Sequence, residues 1–165
     1  MSQPPPSAPP PHDSTAAGPP AAGPASFLAV DYGQRRLGLA VYDAQARWLS
    51  PLPELTRGKD LARDLASLRA LLTERGLQHV VLGLPLGLDG KPTLSTRRAI
   101  HFGQALERAL GVPVHAVDER LSSAAGAQAL RTLDLAGRDD SQSAKVIAEV
   151  YLAAWSHAEE GQTRG

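Results

Sequence analysis

The chain has 165 residues, 17 basic and 17 acidic side chains, a formal charge of zero and no cysteine. That length fits one domain with one core, and the lack of cysteine excludes a disulfide framework, thiolate metal sites and cysteine nucleophiles, in agreement with a cytoplasmic setting. A nucleic-acid partner usually shows as a basic excess, so only the distribution of charge can argue for one here.

The first 25 residues hold nine of the fourteen prolines, no Lys or Arg, and repeated Ala, Gly and Ser. Such a segment buries too little apolar surface to offset its ordering entropy, so residues 1–25 are expected to be a disordered tail. It has neither the basic start nor the apolar run of a signal peptide. No later stretch approaches the ~18 apolar residues of a membrane span. The triple proline could be a partner ligand; a spacer is the plainer reading.

Phe27-Leu28-Ala29-Val30 reads as a strand that ends on Asp31, Tyr32 and Gly33. Asp is depleted from strands, so Asp31 must be solvated, capped or used. Gln34-Arg35-Arg36 forms a turn into a second strand, Leu37–Tyr42. Arg47–Ser50 suggests a short third strand that Pro51 and Pro53 interrupt. Asp60 caps a helix carrying Leu61, Leu65, Leu68 and Leu72, closed by Gly76. His79–Gly83 is apolar enough to be buried on both faces. After a Gly- and Pro-rich loop, Leu84–Leu94, Ser95 caps a second helix to Leu110, closed by Gly111.

Val112–Val117 is a further strand with Asp118, Glu119 and Arg120 at its carboxyl end. Ser122 or Ser123 begins a short helix to about Arg131, and Thr132–Asp139 is a polar loop. A last helix runs from about Asp140 to His157, its apolar face formed by Val146, Ile147, Val150, Tyr151, Ala153 and Ala154. Hairpin strands followed by βαβ units predict an α/β domain over 26–158, with 159–165 a flexible end. Its mixed five-stranded sheet has three antiparallel strands, then parallel ones, and helices on both faces.

Ligands of open α/β sheets gather at the carboxyl ends of strands, where Asp31 and Glu119 both fall. Asp140 completes a triad if the last helix lies across the sheet. Three carboxylates in one cleft repel one another unless a cation is present, and Mg²⁺ or Mn²⁺ would relieve this with oxygen ligands. Two such ions ~4 Å apart can support phosphodiester hydrolysis. Each acid also has a plainer role: Asp31 as an Asx residue of the turn, Glu119 as partner of Arg120, Asp140 as a helix cap. Asp118 could replace Glu119 as the inward acid, because consecutive strand residues face opposite ways.

The string Val30-Asp31-Tyr32-Gly33-Gln34-Arg35-Arg36-Leu37-Gly38-Leu39-Ala40-Val41 resembles the opening motif of the YqgF (RuvX-type) family of ribonuclease H-like proteins. Gly83–Gly90 resembles its middle loop, Val117–Ser123 its third motif, and Asp140–Ala144 through Tyr151 its closing helix, in order from Phe27 to about Trp155. The resemblance implies a ribonuclease H-like fold and a metal site of Asp31, Glu119 and Asp140, with Asp139 as a one-residue alternative for the third acid. It implies a divalent-metal-dependent endonuclease acting on the 5′ end of pre-16S ribosomal RNA or on four-way DNA junctions. The junction activity would need two sites and hence a homodimer. Tyr32, Arg35, Arg36, Lys91, Arg97, Arg98 and Arg120 are the candidate nucleic-acid contacts. Lys145 departs from the pattern, although its stem can cover apolar surface.

Two rival readings remain. Asp31-x-Gly33 resembles the phosphate loop of the actin and sugar-kinase superfamily, which needs a second lobe that 140 residues leave no room for. A non-catalytic, ribosome-associated module would tolerate loss of the acids, and all three are present.

Overall fold

Six residues, Phe27–Tyr32, form the strand β1, and their alternation decides the architecture. Leu28 and Val30 enter one buried cluster and Phe27 and Ala29 another, all four fully buried. Burying a large apolar side chain stabilises by about 1.5–3 kcal/mol, against a strand-propensity scale of ~1 kcal/mol. Burial wins, and it carries Asp31 into the strand.

The computed structural model describes residues 24–87, 89–118 and 140–162, and within the last segment the side chains of 143–156. β1 is the centre of a five-stranded sheet with β2 (Arg36–Asp43), β3 (Trp48–Thr56), β4 (His79–Leu84) and β5 (Val114–Asp118). The order is β3-β2-β1-β4-β5. β1 and β3 lie antiparallel to β2, while β4 is parallel to both β1 and β5. This is the mixed sheet the hairpin and βαβ pattern predicts.

Helices α1 (Leu61–Arg75) and α2 (Leu94–Leu110) cover one face, where Leu68, Leu72, Phe102 and Leu106 meet Leu28, Val30, Val80 and Leu82. Helix α3 (Asp140–Gln162) covers the other, where Ala144, Ile147, Ala148 and Tyr151 meet Phe27, Ala29, Ala40, Tyr42 and Val81. The direction of α3 follows from its contacts. Tyr151 packs at 5.1 Å on Phe27 and at 5.7 Å on His79 and His115, all at the amino ends of their strands. Ala144 and Ile147 come earlier in the helix and sit in the same cluster as Ala29 and Val81, so α3 runs antiparallel to β1.

Asp60 caps α1 as expected, its carboxylate accepting from the Ala62 N–H at 2.9 Å, and Gly76 ends it at φ 62°. The cap of α2 is Thr93, two residues before the expected Ser95. Thr93 Oγ1 accepts from the Thr96 N–H at 3.2 Å while Thr96 Oγ1 accepts from the Thr93 N–H at 2.9 Å. This reciprocal box satisfies two orphan donors where Ser95 could satisfy one. The third strand is not interrupted by Pro51 and Pro53 but runs through both. β3 is the sheet edge and needs ladder donors on one side only, so prolines are tolerated there. α3 continues five residues past the expected His157, and β5 starts at Val114 rather than Val112.

Residues 1–23 of the expected tail lie outside the described residues. So do the helix expected from Ser122 or Ser123 to about Arg131, the loop Thr132–Asp139, and residues 163–165. Among the described residues no helix is long and apolar enough to cross a membrane.

Candidate active site

Asp31 is the penultimate residue of β1 and is half-buried. The alternation that puts Phe27 and Ala29 against α3 puts Asp31 on that same face. Its register partners are Gly38 on β2 and Gly83 on β4. Opposed side chains in neighbouring strands stand ~4.5–5.5 Å apart, so glycine at both positions leaves no side chain at that distance from the carboxylate. Neither in-register neighbour of Asp31 carries a side chain. Neither glycine stands out in the sequence as a site residue, because their value appears only with the register.

The turn after Asp31 is held tightly. A Cβ at Gly33 would lie 2.4 Å from the Arg36 carbonyl oxygen, so only glycine fits. Arg57, just beyond β3, ties this turn down twice. Its backbone N–H donates to the Arg35 carbonyl at 2.8 Å, and its Nη1 donates to the Gly33 carbonyl at 3.2 Å. Its Nε donates to Asp64 Oδ2 at 3.1 Å. Asp64 is itself 2% exposed and also accepts from the Gly58 N–H at 2.9 Å. The guanidinium lies 4.9 Å from the Tyr32 ring centre and 5.2 Å from that of Phe102. Sequence reading passes over Arg57, since nothing local distinguishes it from other surface arginines.

Of the expected acids, Asp31 is the one whose side chain is described. Asp118, the alternative to Glu119, ends β5 on the α1/α2 side, because Val117 beside it packs into the α3-side cluster. Asp118 therefore does not share the face of Asp31. Glu119 and Arg120 lie outside the described residues, as does Asp139. Asp140 is the first residue of α3, with only its place in the helix described. Among the described residues no three His, Asp or Glu side chains form a metal-sized group. The donor chemistry at this end of the sheet is carboxylate oxygen, with His79 and His115 at the opposite end, and that suits a hard divalent ion.

The described basic candidates lie toward the same end of the sheet. Arg35 and Arg36 are exposed on the turn, Arg36 pairing with Glu54 at 2.9 Å. Lys91 is exposed in the loop before α2, its N–H bound to Asp89 Oδ1 at 3.0 Å. Arg97 and Arg98 are exposed near the start of α2, whose first turn holds no acidic residue. Tyr32 points to the face opposite Asp31, its ring between Arg57 and Phe102.

This sheet order, with α3 across one face and α1 and α2 on the other, defines the ribonuclease H-like class. RuvC from Thermus thermophilus shares it, with a TM-score of 0.53 at 15% identity over 81% of this chain and 96% of that one. The same RuvC in complex with a Holliday junction substrate gives a TM-score of 0.54 at 17% identity. A family model described as "RuvX: Holliday junction resolvase" matches residues 25–154. A relative from Maridesulfovibrio salexigens named "Putative pre-16S rRNA nuclease" is 38% identical over 76% of this chain and 96% of its own. One of the same name from Prochlorococcus marinus is 41% identical over 78% of this chain and 80% of its own. The chain belongs to the RuvX family.

Proposed function

We propose that the chain is a divalent-metal-dependent endonuclease that processes the 5′ end of pre-16S ribosomal RNA, in the cytoplasm. The observation that carries this reading is Asp31: a carboxylate at the carboxyl end of the central strand, flanked in register by Gly38 and Gly83. Asp31, Glu119 and Asp140 would hold Mg²⁺ or Mn²⁺, two ions in the full site. Bound there, such ions would supply an activated water and neutralise charge on the phosphate oxygens.

The chain's own residues bind and orient. Arg35, Arg36, Lys91, Arg97, Arg98 and Arg120 hold the backbone phosphates, and Arg97 adds its charge to the positive end of the α2 dipole. Tyr32 acts from beneath, as the surface on which Arg57 rests. The relatives named for pre-16S rRNA favour the RNA substrate.

The family description and the RuvC fold favour a second reading, resolution of four-way DNA junctions by a homodimer with two sites. The test is a side-by-side Mn²⁺ assay on a 5′-extended small-subunit rRNA precursor and a synthetic four-way junction, with Asp31→Asn as control. Cutting of the RNA alone, lost in the variant, supports the first reading. Cutting of the junction alone supports the second. Cutting of neither turns the reading to a non-catalytic nucleic-acid module.

A further inference from the structure

We infer that Arg57 is a positioning residue for Asp31, acting through the Gly33–Arg36 turn, an inference that rests on reading Asp31 as a metal ligand. The turn begins two residues after Asp31, at a glycine with no side chain of its own to anchor it. Glycine is the residue with the most backbone freedom to lose, so a turn built on it needs an external restraint. Arg57 supplies two: its backbone N–H on the Arg35 carbonyl at 2.8 Å and its Nη1 on the Gly33 carbonyl at 3.2 Å.

The restraint is itself held from three sides. Asp64 fixes Nε at 3.1 Å, and the Arg57 and Asp64 side chains are only 16% and 3% exposed. The Tyr32 and Phe102 rings, 4.9 and 5.2 Å away, lie against the guanidinium. Because its N–H groups form a rigid planar fork, fixing Nε toward α1 also fixes where Nη1 can point. Asp64 on α1 is thereby linked through Arg57 to Gly33, and through Gly33 to the end of β1. A site that must hold its ligands within about 0.5 Å needs such support from rigid elements. A lysine offers one mobile point charge and cannot reproduce two fixed directions.

The arrangement is tested with Arg57→Lys, Arg57→Met and Asp64→Asn, each studied where circular dichroism shows it folded. Three quantities are read: amide hydrogen exchange across 33–36, the Mn²⁺ dissociation constant by calorimetry, and kcat and KM on the substrate the wild type cuts. Loss of an outer-shell partner typically lowers affinity or activity 10–100-fold. The expected result is faster exchange confined to the turn, Mn²⁺ binding weaker by about tenfold, and kcat lower by about 10–100-fold with KM within about twofold. Arg57→Lys is expected not to restore kcat.

A lower melting temperature with kcat and Mn²⁺ affinity unchanged would make Arg57 merely structural and overturn the inference. So would a raised KM at constant kcat, which would mark a direct substrate contact. If the wild type neither binds Mn²⁺ nor cuts, the metal reading fails separately and the exchange data judge the restraint. Acceleration confined to 33–36 supports it, and uniform exchange overturns it.

Discussion

At the amino ends of β1, β4 and β5, Phe27, His79, His115 and Tyr151 close into a cluster of rings 5.1–5.7 Å apart. At the carboxyl ends of the same strands, Asp31 stands between Gly38 and Gly83 beneath a turn tied down by Arg57. The first end fills its volume with apolar surface, and offset or edge-on aromatic pairs add about 0.5–1.5 kcal/mol each beyond burial. The second end gives up side-chain volume beside a carboxylate and recovers order through hydrogen bonds and one buried ion pair. One end is built for stability and the other for access. Substitutions at the two ends should therefore separate folding from function.

The largest separation is expected from Asp31→Asn. Its activity should fall to background in a gel cleavage assay, while its melting curve stays near the wild type. Loss of activity only through unfolding would make Asp31 a structural residue. Phe27→Ala should do the converse. It removes a fully buried ring from three neighbours, Tyr42, His79 and Tyr151. The expected destabilisation is about 3–5 kcal/mol in urea unfolding, with turnover per folded molecule unchanged. Reduced turnover at full folding would show the two ends to be coupled.

A smaller effect is expected from His79. Burial, with the nearby charge of His115, lowers its pKa from 6.5 to about 4. No described residue hydrogen-bonds its Nε2 or the Tyr151 hydroxyl, and burial there disfavours an imidazolium. The unfolded chain binds that proton more readily, so stability is fully present above about pH 6.5 and declines as the pH falls toward about 4. His79→Phe should flatten this part of the melting-temperature profile. An unchanged profile would place the acid sensitivity elsewhere.

The smallest effect is expected from Arg36→Ala. Its ion pair with Glu54 involves an arginine side chain that is 59% exposed, and such pairs contribute ~0–1 kcal/mol. Stability should barely change. The slope of log affinity against log salt should fall by roughly one unit for a lost phosphate contact. An unchanged slope would remove Arg36 from the binding surface.

Much of the fold was legible because the local signals agreed. The apolar run ending at Asp31, the Asp60 and Gly76 caps, and the switch from hairpins to βαβ order each pointed to one arrangement. Misreadings came where tertiary context overrode a local rule: Pro51 and Pro53 are harmless only because β3 is an edge, and Thr93 displaces Ser95 only because Thr96 answers it. The candidate site was legible in part. Asp31 marks itself as an acid at a strand end, yet choosing its face requires the alternation of core residues across five strands. Gly38 and Gly83 gain meaning only through register. Arg57, 24 residues after Gly33, meets it only through the β1-β2-β3 topology, and no sequence period marks it.

The most direct test of the central claim is calorimetric titration of Mn²⁺ into the wild type, Asp31→Asn and Phe27→Ala, all at a temperature where each is folded. A metal-holding carboxyl end predicts binding to the wild type and to Phe27→Ala, and none to Asp31→Asn. Equal binding to Asp31→Asn would contradict it.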